Sequence, residues 1–500
     1  MSTIRKQSIL SSGLIYIGFA FGLLNTYFFT KQHLFTEEQY GLTGIFVAIA
    51  SMMMAFSGMG MSSYIAKFYP YYHDHLPPAK NDMLTWALLI NTIGFILVII
   101  AGVVLKHIII RKFSQNSELL VHYYYWIFAL GFGLSIYTTL EVYAWSKGKS
   151  VLTNFLREVQ WRMLTTILIV LFAANIIKDF DLFIKLYAFT YPAIAIILFT
   201  YLAFTKKIYF TFSISKVSRR YFGKIISYSF FIYSSLIIFT VSQVFDSIVI
   251  ASLSGLGKAG IFALAQLMGS VIQAPQRGII SASLLHLSRA WKEKNMPLIR
   301  RIYQRSSINL LIFASGIFVL IALNYKEAIL TFRLKETFLL GFNAFILIGL
   351  TRIVDMGTGL NSQIIITSTR WRFELISGVI LLILILPLTY ILTKQYDILG
   401  PAIASLVSTT IYNTIRIVFL WKKFRLFPFT IQSAYTILLG ALSFGISYFL
   451  FSNLHGLPGL ILRSLVFIIL YGVGVIYLRL SPDVKPVWQT IKKRLKRRKD

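Results

Sequence analysis

The sequence contains no cysteine. Disulfides, thiolate catalysis and cysteine-ligated metals are therefore excluded, although compartment stays open because no long exported region needs bracing. Acidic residues are scarce too, 18 Asp and Glu against 49 Lys and Arg, for a formal net charge of +31. The chain offers no nucleophile–base arrangement, no phosphate-binding loop and no acidic metal cluster. Long hydrophilic inserts are also missing. The longest loops run to about 20 residues, which leaves room for one polytopic membrane domain and little else.

What is present is apolar sequence: 57% of residues are hydrophobic and the mean hydropathy is +0.71. A soluble domain of this kind would aggregate, so the apolar surface must face lipid. About fourteen stretches are long and apolar enough to cross a bilayer. They run roughly over 9–30, 41–66, 84–105, 120–146, 153–177, 182–204, 225–253, 259–287, 306–325, 338–366, 375–393, 398–421, 433–452 and 459–478. The expected fold class is an all-α polytopic membrane protein. The first stretch follows Arg5 and Lys6 and carries no charge before Lys31. It is long for a signal peptide and lacks a small-x-small cleavage site, so it reads as an uncleaved helix.

Fourteen spans put both termini on one side. The even-numbered loops on that side hold Lys206, Lys207, Lys216, Arg219, Arg220 and Lys224, then Arg289, Lys292, Lys294, Arg300, Arg301 and Arg305. The tail adds Lys492, Lys493, Arg494, Lys496, Arg497, Arg498 and Lys499. Roughly 32 basic residues fall there against about 11 opposite, which assigns that side to the cytoplasm. The exceptions are Lys106, Arg111 and Lys112, and Lys326, Arg333 and Lys335. Such charge sets topology and attracts anionic headgroups by about 1 kcal/mol per residue. Scattered over short loops with no soluble domain, it does not suit nucleic acid.

One internal echo suggests duplication. Gly41-x-x-Gly44-Ile45-Phe46 opens the second span, and Gly257-x-x-Gly260-Ile261-Phe262 opens the eighth. Two parallel six-span repeats would pair these spans. The expected domains are therefore an N-terminal lobe (1–210, spans one to six) and a C-terminal lobe (211–425, spans seven to twelve). Spans thirteen and fourteen (426–480) and a basic cytoplasmic tail (481–500) follow, and the junction between lobes lies in Lys206–Lys224. Gly255-x-Gly257-x-x-Gly260 also matches a dinucleotide fingerprint, but no parallel sheet is available to present it.

Polar residues within spans are costly, roughly 2.5–3.5 kcal/mol for an ionisable group at the helix centre, so they usually face a cavity or a partner. In the eighth span Gln266, Ser270, Gln273, Arg277 and Ser281 share one helical face, and Pro275 predicts a kink. Two readings fit this stripe: the wall of a hydrated cavity, or an interhelical seam with Arg277 reaching the cytoplasmic surface. In the tenth span Arg352 and Asp355 stand at i, i+3, followed by Thr358, Asn361 and Ser362. They either neutralise each other or leave Arg352 facing the same cavity as Arg277. Asp246, near Ser242 and Gln243, and Glu141 either bind a coupling proton or cation or serve structural partners. In span five Glu158 and Arg162 can pair at i, i+4, leaving Arg157 free to meet an anion. His73-Asp74-His75, in a loop before Pro77-Pro78, lacks a third ligand and reads as solvated loop, so no metal is expected.

Longer segments carry a family likeness. Gly60-Met-Ser-Ser-Tyr-Ile-Ala-Lys67-Phe68-Tyr69-Pro70, and Phe245-Asp246-Ser247-Ile-Val-Ile-Ala-Ser-Leu-Ser-Gly255 leading into Gly260-Ile261-Phe262, resemble the polysaccharide-biosynthesis flippases. These are the Wzx-type members of the MOP superfamily, which also holds MATE exporters and lipid II flippases. The resemblance implies two MATE-like six-helix lobes plus two C-terminal helices, and a transporter rather than an enzyme. Its implied substrate is an undecaprenyl-diphosphate-linked oligosaccharide, moved to the outer leaflet of a bacterial inner membrane for O-antigen, capsule or exopolysaccharide assembly. On that reading Arg277 and Arg352 would meet the diphosphate, with Arg157 or Lys67 nearer the entrance. Gln273, Ser270 and Gln266 would meet sugar hydroxyls. Coupling to a proton or sodium gradient would run through Asp246, Asp355 or Glu141, without a cofactor. Partners would be the lipid-linked oligosaccharide, membrane lipids and other polysaccharide-assembly membrane proteins, not nucleic acid. A drug exporter of the MATE type should offer mid-membrane carboxylates in the first lobe, where only Glu141 stands, near one end. Lipid II is a close alternative substrate. A polysaccharide polymerase or ligase would need a structured outer-face site.

Overall fold

The computed structural model describes residues 3–483, except for the side chains of residues 3–9, 11, 12, 277, 281, 282, 284 and 285. The basic stretch Lys492–Lys499 lies outside the described residues. Helices account for nearly all of the rest. In order they are α1 (Thr3–Thr30), α2 (Glu37–Ser57), α3 (Met61–His75), α4 (Met83–Val104), α5 (Lys106–Phe113), α6 (Glu118–His122), α7 (Trp126–Ser146), α8 (Ser150–Asn154), α9 (Trp161–Ala173), α10 (Phe180–Ala188), α11 (Thr190–Phe204) and α12 (Lys216–Leu253). Then follow α13 (Leu256–Lys292), α14 (Met296–Thr331), α15 (Phe342–Gly357), α16 (Asn361–Thr367), α17 (Arg372–Tyr396), α18 (Leu399–Phe424), α19 (Ile431–Leu450) and α20 (Gly456–Tyr477).

Among the described residues, thirteen helical segments are long and apolar enough to cross a membrane. The fourteenth expected span is α8 and α9 joined through a π-helical turn, Phe155–Gln160. Three charges, Arg157, Glu158 and Arg162, fall in and beside that turn, which lowers its apolarity. The fold is thus all-α and polytopic, as expected.

Local signals explain where the chain departs from a simple count of spans. Helix α2 starts on a capping box: the Gln39 amide N donates to Thr36 Oγ1 (3.1 Å), and the Thr36 N donates to Gln39 Oε1 (2.9 Å). Glu37 and Glu38 add negative charge to its first turn. Its expected continuation to residue 66 is broken at Gly60, whose φ is +76°. A Cβ there would sit 2.5 Å from the Ser229 carbonyl oxygen, so close backbone approach also requires glycine. The break makes α3 a separate helix. It carries His73-Asp74-His75 into its last turn rather than a loop, with His73 and Asp74 exposed. Helix α12, at 38 residues, is about 57 Å long, against a hydrocarbon core of about 30 Å. The basic segment from Lys216 to Lys224, expected as connection, is therefore helix.

The chain forms two compact units, Met1–Gly260 and Ile261–Asp500. Within the first unit α12 packs on α2 and α3. In unit 1, α7 is the central element, in contact with α2, α4 and α11. The repeated glycine motif gains a physical meaning here: a Cβ on Gly41 would sit 2.0 Å from the Leu256 carbonyl oxygen, and one on Gly260 2.5 Å from that of Glu37. The two copies meet backbone to backbone. In unit 2, α18 packs on α15 and α17, and α19 and α20 lie against α14. The last span is tied there by Ser315 Oγ to Tyr471 Oη (2.7 Å) and Asn324 Nδ2 to Ser464 Oγ (3.0 Å).

Candidate functional site

Within unit 2 the membrane helices converge on a continuous polar network. Asp355 on α15 accepts through Oδ2 from Gln273 Nε2 (3.2 Å) and Gln276 Nε2 (3.5 Å) of α13, and through Oδ1 from Asn413 Nδ2 (3.3 Å) of α18. Asn413 Oδ1 in turn accepts from Asn361 Nδ2 (2.7 Å) and Thr358 Oγ1 (3.2 Å). Arg416, one turn beyond Asn413, donates to Ser377 Oγ (3.2 Å) and Asn361 Oδ1 (3.5 Å), and pairs with Glu374 at the start of α17. Its guanidinium lies 3.9 Å from the Tyr412 ring centroid. Ser362 Oγ closes the chain on Glu374 (2.8 Å). A buried polar group costs several kcal/mol unless hydrogen-bonded, and here each central amide has both a donor and an acceptor role. Such a network fixes five helices against one another.

Among the expected site residues, this unit brings Gln273 and Asp355 into direct contact. Arg352 stands one turn before Asp355, its Nε 3.9 Å from where a Gly269 Cβ would lie. Gln266 is half-buried on α13. Ser270 donates to the Leu267 carbonyl of its own helix (2.7 Å). The Arg277 and Ser281 side chains lie outside the described residues. Pro275 sits inside α13, which runs on from Leu256 to Lys292.

Unit 1 holds the remaining expected charges. Glu141 on α7 is 1% exposed and pairs with Arg157 Nη1 at 3.0 Å. Arg157 was expected free for an anion; it is instead the counter-charge of a buried carboxylate, with 46% of its side chain still exposed. Glu158 and Arg162 pair at 2.6 Å as expected. Their close seat on α1 needs Gly18, where a Cβ would lie 2.9 Å from Arg162 Nη1. Asn25 locks the same place, donating to the Arg162 carbonyl (2.9 Å) and accepting from Thr166 Oγ1 (2.6 Å). Lys67 is exposed on α3, with its Nζ 3.7 Å from the Tyr228 ring centroid. Asp246 is buried on α12.

Several polar residues were not anticipated. Asn413 and Arg416 stand in the twelfth span at i, i+3, the same spacing that drew attention to Arg352 and Asp355. Glu374 falls one residue before the eleventh span as read. In unit 1, Asn91 on α4 donates to the Ser135 carbonyl (3.0 Å) and Thr139 Oγ1 (2.8 Å) and accepts from Ser135 Oγ (2.6 Å). Near the start of α12, Tyr64, Tyr72, Ser218 and buried Asp82 form a relay of hydroxyls, ending in Ser218 Oγ to Asp82 Oδ2 at 2.8 Å. Burial pushes the Tyr72 phenol above its ordinary pKa, so it serves as a neutral donor.

A family model described as polysaccharide biosynthesis protein matches residues 5–291. No curated protein matches the chain. Among solved structures, the lipid II flippase MurJ in an inward closed conformation is 17% identical, with a TM-score of 0.68, over 94% of this chain and 99% of that one. A multidrug resistance MATE family transporter of the MOP superfamily, inward-facing, is 16% identical with a TM-score of 0.60, over 83% and 99%. A MOP superfamily transporter from Pyrococcus furiosus is 17% identical with a TM-score of 0.51, over 88% and 96%. At such identities the likeness establishes the fold, which is of the MurJ and MATE type.

Proposed function

Because the chain belongs to the polysaccharide biosynthesis protein family, we propose that it flips an undecaprenyl-diphosphate-linked oligosaccharide from the cytoplasmic to the outer leaflet of a bacterial inner membrane. Both termini would then face the cytoplasm. A sugar diphosphate headgroup cannot cross hydrocarbon unaided, and a transporter of this fold would carry it by alternating access. The observation that best supports this reading is the polar network of unit 2: Asp355, held by the amides of Gln273, Gln276 and Asn413, with Arg352 one turn away. Amides that bond a carboxylate also suit sugar hydroxyls, and guanidinium groups suit phosphate oxygens.

In this scheme Arg277 and Arg352 hold the diphosphate, while Gln273, Gln266 and Ser270 meet the sugars. Lys67 receives the headgroup at the entrance, and Arg157 contributes through its exposed edge while still tied to Glu141. Asp355 and Asp246 are the groups proposed to couple movement to a proton or sodium gradient. Glu141, already bound to Arg157, is the weaker coupling site. No catalytic step is assigned to any residue.

Lipid analysis of a deletion strain tests the reading. The undecaprenyl-diphosphate oligosaccharide should accumulate on the cytoplasmic side and clear when the wild-type gene is restored. Arg277→Ala should insert normally yet fail to clear it, and Arg277→Lys should retain partial export. Accumulation of lipid II instead would move the substrate to peptidoglycan precursor. If no lipid-linked glycan accumulates, flipping of such lipids is wrong.

A further inference from the structure

A cavity of about 950 Å³ in unit 2 lies apart from the Asp355 network and has no part in the proposed transport path. It opens where α14 and α19 begin and where α18 and α20 end. Five arginines line it: Arg300, Arg301 and Arg305 from the first turns of α14, Arg425 just past α18 and Arg479 just past α20. Among the described residues one carboxylate answers them, Asp483, at 3.5 Å from Arg305. Asp483 is itself engaged by Asn309 Nδ2 at 2.8 Å. The remaining four guanidinium groups have no acidic partner there.

Two further features favour an anion. Arg425 and Arg479 take left-handed backbone, φ +55° and +49°, where glycine would be less strained. Their charge is kept at the rim despite that strain. The N-termini of α14 and α19, of 36 and 20 residues, also end on the cavity and add their partial positive charge.

The floor is of another character. Phe424, Leu426 and Leu480 form it, and Leu426 and Leu480 are buried. From the mouth an exposed apolar stripe of Ile431, Tyr435, Leu438 and Leu442 runs along α19. A free diphosphate would use the rim and leave both floor and stripe without a role. We propose that this basin seats the headgroup of an anionic membrane lipid bearing two phosphates, with its chains along the α19 stripe. Four guanidinium groups without an acidic partner among the described residues match two phosphates better than one. The lipid is a resident of the bilayer, distinct from the transported cargo, so the inference stands whatever glycan is moved.

The test uses the full chain in phosphatidylethanolamine nanodiscs, titrated with fluorescent cardiolipin. Wild type should bind, and Arg300→Ala/Arg301→Ala/Arg479→Ala should bind about tenfold more weakly or worse. The milder Arg300→Gln/Arg301→Gln provides the same comparison should the triple variant fold poorly. A variant losing equal charge elsewhere, Arg219→Ala/Arg220→Ala/Lys224→Ala, should bind as wild type. Equal binding by wild type and basin variants overturns the proposal, as does an equal loss in the unit 1 control. Basin-dependent binding of inorganic diphosphate without cardiolipin binding also overturns it, in favour of a soluble ligand.

Discussion

Two carboxylates set within the helices, Glu141 of unit 1 and Asp355 of unit 2, are held by opposite means. In unit 1, Glu141 is answered by a guanidinium from a neighbouring helix, Arg157 at 3.0 Å. In unit 2, Asp355 gathers neutral amides from α13 and α18. An ion pair of the first kind is costly to break because one partner is left charged and desolvated. A carboxylate held by amides can exchange its partners at lower cost, because the loss of one neutral donor leaves no opposite charge bare. Rigid charge pairing suits a scaffold, and exchangeable amides suit a site that must receive and release polar cargo.

The sharpest way to break this contrast is Arg157→Ala. It should destabilise the detergent-solubilised protein by about 3 kcal/mol, the low end of the range because Arg157 is half open. Adding Glu141→Gln should recover most of that loss in a thermal melt; a single variant that melts like wild type would refute the structural role. Next comes Asn413→Ala, which removes a donor from Asp355 and an acceptor from Asn361, for about 1–2 kcal/mol. Asp355→Asn should change stability by less than about 1 kcal/mol while lowering glycan export. A large fall in melting temperature with export intact would make Asp355 a scaffold residue and end the contrast with Glu141. The smallest effect is expected of Lys67→Met: losing the stack on Tyr228 should cost about 0.5 kcal/mol, with a measurable reduction in export if Lys67 meets cargo.

The sequence displayed its spans because long apolar runs have few alternatives in a bilayer. The fold class followed from them directly. Interruptions were harder to see. The break at Gly60 lies among residues as apolar and aromatic as any span, and its cause is a distant backbone, Ser229, that no local pattern reveals. Helix α12 outran its apolar core because Lys216, Arg219, Arg220 and Lys224 are good helix formers at an interface as well as loop residues. At the site, the i, i+4 pair Glu158–Arg162 was legible from spacing alone. Glu141 and Arg157 were not, since their helices meet only in the folded protein. Arg416 escaped notice because it stands near Lys422 and Lys423 at the end of a span, where a cation looks like ordinary flanking charge.

The π-helical turn from Phe155 to Gln160 has a consequence of its own. Such a turn fits about one residue more than an α-helical turn into a similar rotation, so the helix faces before and after it stay in register. Excising one position there would let Ser150–Ala173 wind as plain α-helix with Arg162 still facing Gly18 and Asn25, whereas excising one from Ser150–Asn154 would swing Arg162 by about 100°. The turn is therefore slack in the winding: there the rod tolerates a change of one residue while its far end keeps its aim.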